Sequence, residues 1–331
     1  MTTTVVPTPA VLVAADRPAR GRRLRTALST LHLLALTAVC LVLGLPTDRL
    51  SVLLWVLTGL ACRCPGRGRR AAVQLLVDWV PLGAVLLVYD ASRGLADTLG
   101  APVHVAEPAA VDAAVFGVVP TVWLQANVAV PGWLAVVVTL VYSSHFVVTP
   151  LLLAGLWLRD RARWRRFAAM VVGLSLAGLV TYVLYPAAPP WLAARQGVIG
   201  EVHRHSGDGW AELGLPRAGA LLHAGQGSVN PVAAVPSLHT AFAVLVCLVG
   251  LTLVRRRWQR VLLVAYAVAM PVALVWSGEH YVVDTVLGAL YAGAVFLGVT
   301  LVVPVLGRAA GRARGRVSGA GVSVTSTTSR G

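Results

Sequence analysis

Two histidines and an aspartate stand at the mouths of two apolar stretches in the last third of the chain. His239 ends Val235-Pro236-Ser237-Leu238-His239, just before apolar residues 240–254. His280 and Asp284 lie in Ser277-Gly278-Glu279-His280-Tyr281-Val282-Val283-Asp284, just before residues 285–306. Ionisable groups at the edge of hydrocarbon are costly to keep, so they mark a functional site by default. A carboxylate four residues after an imidazole shares a helix face with it. Asp284 can therefore accept the Nδ1–H of His280, fix its tautomer and leave Nε2 as a nucleophile. His239, arriving on another helix, suits a general acid–base. Pro236 fits a first helical turn, and Ser237 with the free amides of that helix start offers an anion cradle. Together these groups point to phosphoryl transfer through a phosphohistidine. A single histidine at a helix end is usually structural; the joint pattern favours a catalytic site.

The elements that must position these groups are membrane helices. Hydrophobic residues make up 57% of the 331-residue chain and charged residues only 12%, a balance that excludes an ordinary soluble domain. Apolar runs fall at about 26–45, 47–62, 71–90, 133–158, 167–185, 236–254, 261–276 and 281–306. Most reach the ~20 residues of a helical span; the second and seventh are short. The expectation is an all-α polytopic transmembrane helix bundle of about eight spans. Residues 1–25 and 307–331 read as disordered cytosolic tails around a transmembrane catalytic domain, 26–306. Residues 91–132 and 186–235 form two long loops, the first with a semi-apolar stretch at 109–130 that lies in the interface or dips into the membrane.

The net charge of +15 comes from arginine, because the chain has no lysine. Arginines cluster before the first run, after the second, fourth and sixth, and after the last. That alternation is the positive-inside pattern. It predicts cytosolic termini and puts both histidine motifs on the extracytoplasmic side. Nucleic-acid binding is excluded as a partner class, since no basic–aromatic face is present. The partners are the bilayer, a lipid phosphoester and a possible sugar or lipid hydroxyl acceptor. Cys40 and Cys247 read as packing residues, and Cys62 with Cys64 as reduced thiols. The scheme needs no metal or cofactor.

At these residues the chain resembles the membrane-bound type 2 phosphatidic acid phosphatase superfamily, and within it the inositol phosphorylceramide synthase-like branch. The superfamily's Pro-Ser-Gly-His motif is matched by Pro236-Ser237-Leu238-His239, with Leu for Gly. Its later His-x3-Asp is matched by His280 and Asp284. The stretch 185–191 resembles the Pro-Pro segment of the synthase-like branch. The resemblance spans about residues 71–300 and implies a six-helix core, with the first two spans as candidate accessory elements. It implies His280 as nucleophile, Asp284 as its orienter, His239 as acid and Ser237 as phosphate ligand. Two departures stand out: the phosphatases' Lys-x6-Arg-Pro motif is absent, and their Arg six residues before the nucleophile is Leu274 here.

Other groups must then meet the phosphate. Arg93, just past the third span, is the first candidate, with a snorkelling interface anchor as the competing reading. His145 lies mid-span in the fourth run and is a second candidate, against a satisfied core histidine. Arg195, after the Pro-Pro segment, is a third, against a plain loop residue. The run His203-Arg204-His205 reads as solvated loop, and Asp78 as a helix-packing acceptor. The expected activity is a lipid phosphotransferase or phosphatase. A lipid or polyprenyl-phosphate transporter, or a non-catalytic protein on the same fold, is the alternative.

Overall fold

The computed structural model describes residues 9–43, 46, 48–95, 101–129, 131–227 and 230–302. Each of the eight apolar runs carries a helix over its described residues. They are α1 (Pro9–Leu43), α2 (Arg49–Ala61), α3 (Arg69–Leu95), α6 (Gly132–Arg159), α7 (Arg161–Leu184), α11 (Leu238–Leu253), α12 (Arg257–Trp276) and α13 (Val282–Leu297). Between them lie α4 (Glu107–Phe116), α5 (Pro120–Asn127), α8 (Pro190–Arg195), α9 (Gly209–Glu212) and α10 (Pro216–Gly227). Six of the described helical segments are long and apolar enough to cross a bilayer, while α2 and α11 are shorter. Helices α4 and α5 form a pair bent by 71° over the semi-apolar stretch. The protein is an integral-membrane helix bundle.

Boundaries moved for local reasons. Helix α1 starts at Pro9, upstream of the expected tail boundary; Ala and Arg are strong helix formers and extend it past the apolar run. Residues 1–8 and 303–331, which include the expected C-terminal tail, lie outside the described residues. Helix α12 starts at Arg257 and so reaches a full span. Asp160 ends α6 and caps α7 at once, accepting from Ala162 N and Arg163 N at 3.0 Å each. A one-residue turn thus makes α6 and α7 antiparallel neighbours.

Helix α11 is the hub. It packs against α6, α7, α12 and α13, and ten of its sixteen residues are buried. A helix that is apolar on all sides belongs at the centre of its bundle. The main core joins Trp79 of α3, Leu153 of α6, Phe167 and Leu174 of α7, Leu245 of α11 and Ala292 of α13. Many large apolar side chains point outward instead, among them Leu33, Val77, Val80, Val180, Leu262 and Leu290. On a soluble protein such a surface would aggregate; here it is the lipid-facing coat. Asp78 acts as the expected packing acceptor, bonding Trp157 Nε1 at 2.8 Å and the Arg161 guanidinium at 2.7 Å.

The ends of α3, α7 and α12 and the starts of α11 and α13 meet at one end of the bundle. The arginine clusters at the starts of α3, α7 and α12 and after α11 lie at the other. Helix α6 does not stop at the meeting level. His145 lies thirteen residues after Gly132, so α6 runs about 20 Å past it at 1.5 Å per residue.

Candidate active site

The two histidine motifs converge. Ser237 N donates to Asp284 O at 3.0 Å, joining the motifs main chain to main chain. Gly288 permits this: a Cβ there would collide with Ser237 O. Gly178 of α7 likewise gives room to Leu238, whose methyl carbons would lie 3.0 Å from an added Cβ. Tyr182 OH of α7 donates to Pro236 O at 3.0 Å, fixing the entry to α11.

His239 and His280 face each other with ring centroids 5.9 Å apart. Asp284 Oδ2 lies 3.4 Å from His280 Nδ1 and accepts from Tyr281 N at 2.9 Å. The pairing is the expected one, but its geometry differs. Helix α13 begins only at Val282, so His280 precedes it and Asp284 folds back from the first turn. A carboxylate at that position satisfies a free amide and reaches the imidazole in one stroke. Both groups are buried, with Asp284 fully so.

The turn before His280 is tight. Gly278 adopts φ +77°, where only glycine sits without strain, and a Cβ there would meet His203 O at 2.7 Å. The expected anion cradle is also partly committed. Ser237 caps α11, accepting from Thr240 N at 3.3 Å, and Pro236 stands outside the helix rather than in its first turn. Serine is a preferred cap, worth about 1 kcal/mol, and the cap uses the hydroxyl expected to hold phosphate.

His145 joins the cluster. Its ring centroid lies 4.2 Å from that of His239, and Tyr142 stacks on His239 at 4.9 Å. Residues 142 and 145 are three apart on α6 and present one face to α11. Arg93 lies in the last turn of α3. Its carbonyl accepts from Asn230 Nδ2 at 3.1 Å, which ties α3 to the segment leading into Ser237. Arg195 is exposed at the end of α8, and no contact joins it to the histidines. Among the described residues, His239 Nε2, Asp284 Oδ1 and Arg93 Nε are buried without a hydrogen-bond partner.

Sequence reasoning missed the collar around the site. Asp112 of α4 is buried and accepts from Val282 N at 2.8 Å and Val283 N at 3.0 Å, capping α13 from another element. Gln125 of α5 donates to His203 O at 2.9 Å and to Trp276 O at 2.8 Å, and accepts from His203 N at 2.9 Å. The Pro-Pro segment threads between two others: Ala188 N bonds His104 O at 2.9 Å, and Ala187 N bonds Val232 O at 2.7 Å. Tyr185 stacks on His104 at 3.8 Å. Arg204, expected in solvated loop, forms a bidentate pair with Glu279 at 2.7 and 2.9 Å. The signal was available: an acid beside His280 in an apolar motif needs a partner.

The sequence profile of the PAP2 superfamily matches residues 109–298, more than half of the chain. The chain belongs to the PAP2 superfamily. All the clustered groups except Arg93 fall within the matched PAP2 region. A curated relative is the phosphoinositol dihydroceramide synthase of Bacteroides thetaiotaomicron, 28% identical over 268 residues. The match covers 77% of this chain and 84% of that relative. No solved structure matches.

Proposed function

We propose that this protein is a membrane lipid phosphotransferase that works through a phosphohistidine on His280, at the extracytoplasmic face. The observation that carries the reading is the pairing of His239 and His280 at 5.9 Å, with Asp284 on the Nδ1 side of His280. PAP2 membership supports phosphoester chemistry. The relative's name, a synthase of phosphoinositol dihydroceramide, supports transfer to a lipid hydroxyl over hydrolysis. The arginine clusters at the far end of the bundle support an extracytoplasmic site.

In the first step, His280 Nε2 forms a bond to phosphorus and the P–O bond to the leaving lipid breaks. His239, as imidazolium, gives its proton to the departing oxygen. In the second step, neutral His239 takes the proton of the acceptor hydroxyl, whose oxygen displaces His280 from phosphorus. Asp284 holds the Nδ1–H and stabilises the positive charge on His280. Arg93 and the amides at the start of α11 meet the phosphate charge, with Ser237 shaping that start. His145 flanks His239. Arg195 meets a part of the substrate away from phosphorus.

The test is to quench the protein during turnover of a phospholipid labelled at phosphorus. A base-stable, acid-labile label on the wild type and none on His280→Ala is the expected result. Equal labelling of the variant overturns His280 as nucleophile. Release of the head group to water rather than to a lipid hydroxyl would assign hydrolysis.

A further inference from the structure

Glu279 poses a problem that the proposed chemistry leaves unsolved. It is a carboxylate 6% exposed, immediately before the nucleophile. Its oxygens accept from Arg204 Nε at 2.7 Å, Arg204 Nη2 at 2.9 Å, and Ser206 Oγ. The guanidinium also lies over the Trp191 ring, 4.9 Å from its centroid. Trp191 N in turn donates to Gly278 O at 3.1 Å, inside the same turn. On the other side, Gln125 holds both main-chain groups of His203. Arg204 is thus held directly by Glu279 and Trp191, while Ser206 braces Glu279 and Gln125 braces His203.

Such a mount is more than a salt bridge needs. A fork-to-fork pair with a carboxylate uses the Nε–Nη2 edge and fixes the plane of the guanidinium. It leaves the other edge pointing in a set direction. The mount is built into the turn that carries His280: Glu279 is its chain neighbour, and His205 N, next to Arg204, donates to Ser277 O at 3.1 Å. Burial opposes the Arg204 charge, but the field of Glu279 and its hydrogen bonds outweigh it, so the group stays a firm cation. The side chain remains about a quarter exposed, so an anion can reach it. Arg217, by contrast, is simply exposed.

We propose that Arg204, mounted on Glu279 and Trp191, is a phosphate-binding cation of this site, reaching the reacting phosphate from the loop that precedes α9. With Arg93 it supplies the positive charge whose expected positions are empty of Lys and Arg. The proposal rests on the reading of the cluster as a phosphoryl-transfer site and names the group that holds the anion there. Glu279 is a positioning residue, acting through Arg204.

The test uses the full chain in detergent with orthovanadate as a phosphate mimic, its binding read by vanadium NMR without turnover. Arg204→Gln is expected to weaken binding about tenfold or more, the loss of one charge-assisted pair. Arg204→Lys, which keeps charge but loses the fork, falls between. Arg217→Gln binds as wild type. Removing Arg204 alone strands a buried carboxylate, so the double variant Arg204→Gln/Glu279→Gln, which removes both charges, is measured as well. Weak binding by the folded double variant supports the proposal. Wild-type affinity in either folded variant overturns it, leaving the pair a structural lock. The two readings separate cleanly: a wild type that binds vanadate through Arg204 but never carries label would sink only the phosphohistidine.

Discussion

The amide of Ser237 donates to the carbonyl of Asp284 across 3.0 Å. One main-chain bond therefore sets the spacing between the helix carrying His239 and the helix following His280. Side chains adjust by rotamer, but a backbone-to-backbone bond between two buried helix starts leaves little freedom. The 5.9 Å separation of the imidazoles is inherited from it.

Gly288 guards that bond. Gly288→Ala drives a methyl into Ser237 O, a backbone atom that cannot rotate away. Overpacking of this kind costs about 1–3 kcal/mol. Thermal unfolding in detergent should show a clear drop, with a larger fractional loss of labelled enzyme as the two starts separate. Gly293→Ala on the same helix meets nothing within 4 Å and should melt at or slightly above the wild-type temperature.

Asp284→Asn tests the tautomer rather than the fold. One oxygen, Oδ2, faces both Tyr281 N and His280 Nδ1, so the amide either keeps its oxygen there as an uncharged, weaker acceptor or turns an NH2 toward both, favouring the wrong ring nitrogen. Turnover should fall by about 100-fold or more, with vanadate affinity little changed. A variant that turns over at the wild-type rate would remove Asp284 from the mechanism.

Asp112 caps the helix that carries Asp284, and it does so with a carboxylate at a helix N-terminus, both oxygens taken up by its first amides. Asp112→Asn removes the carboxylate and one acceptor, a loss of about 1–3 kcal/mol for a buried amide left unpaired. The expected result is a lower melting temperature and slower labelling of His280. No change in either would show that α4 merely rests on α13.

What was legible in the sequence was local. His280 and Asp284 are four apart, and their pairing could be read from spacing, although a helix cap rather than a helix face makes it. The apolar runs announced the bundle because lipid demands long stretches of one composition. The collar was harder. Asp112 and Gln125 bond to backbone amides and carbonyls more than 70 residues away, and a backbone partner leaves no mark on residue type. His145 stood as a candidate against a satisfied core histidine, because it lies mid-span. It meets His239 because α11 starts low beside an α6 that runs on for another ~20 Å. Arg204 was hidden by its neighbours, since a His-Arg-His run resembles any hydrated loop. Only the lone acid beside His280 hinted that this arginine had somewhere to go.

The meeting level of the five helix ends has a kinetic meaning. A phosphate esterified to a lipid is already held at the boundary between chains and water, and helix ends lie at that same boundary. On the proposed function, substrate would reach the histidines by gliding in two dimensions, with its tails never leaving oil. The concentration that matters is the fraction of the sheet the lipid occupies, not its molarity in the tube, and diluting the membrane with inert lipid slows the encounter as surely as diluting a solution would.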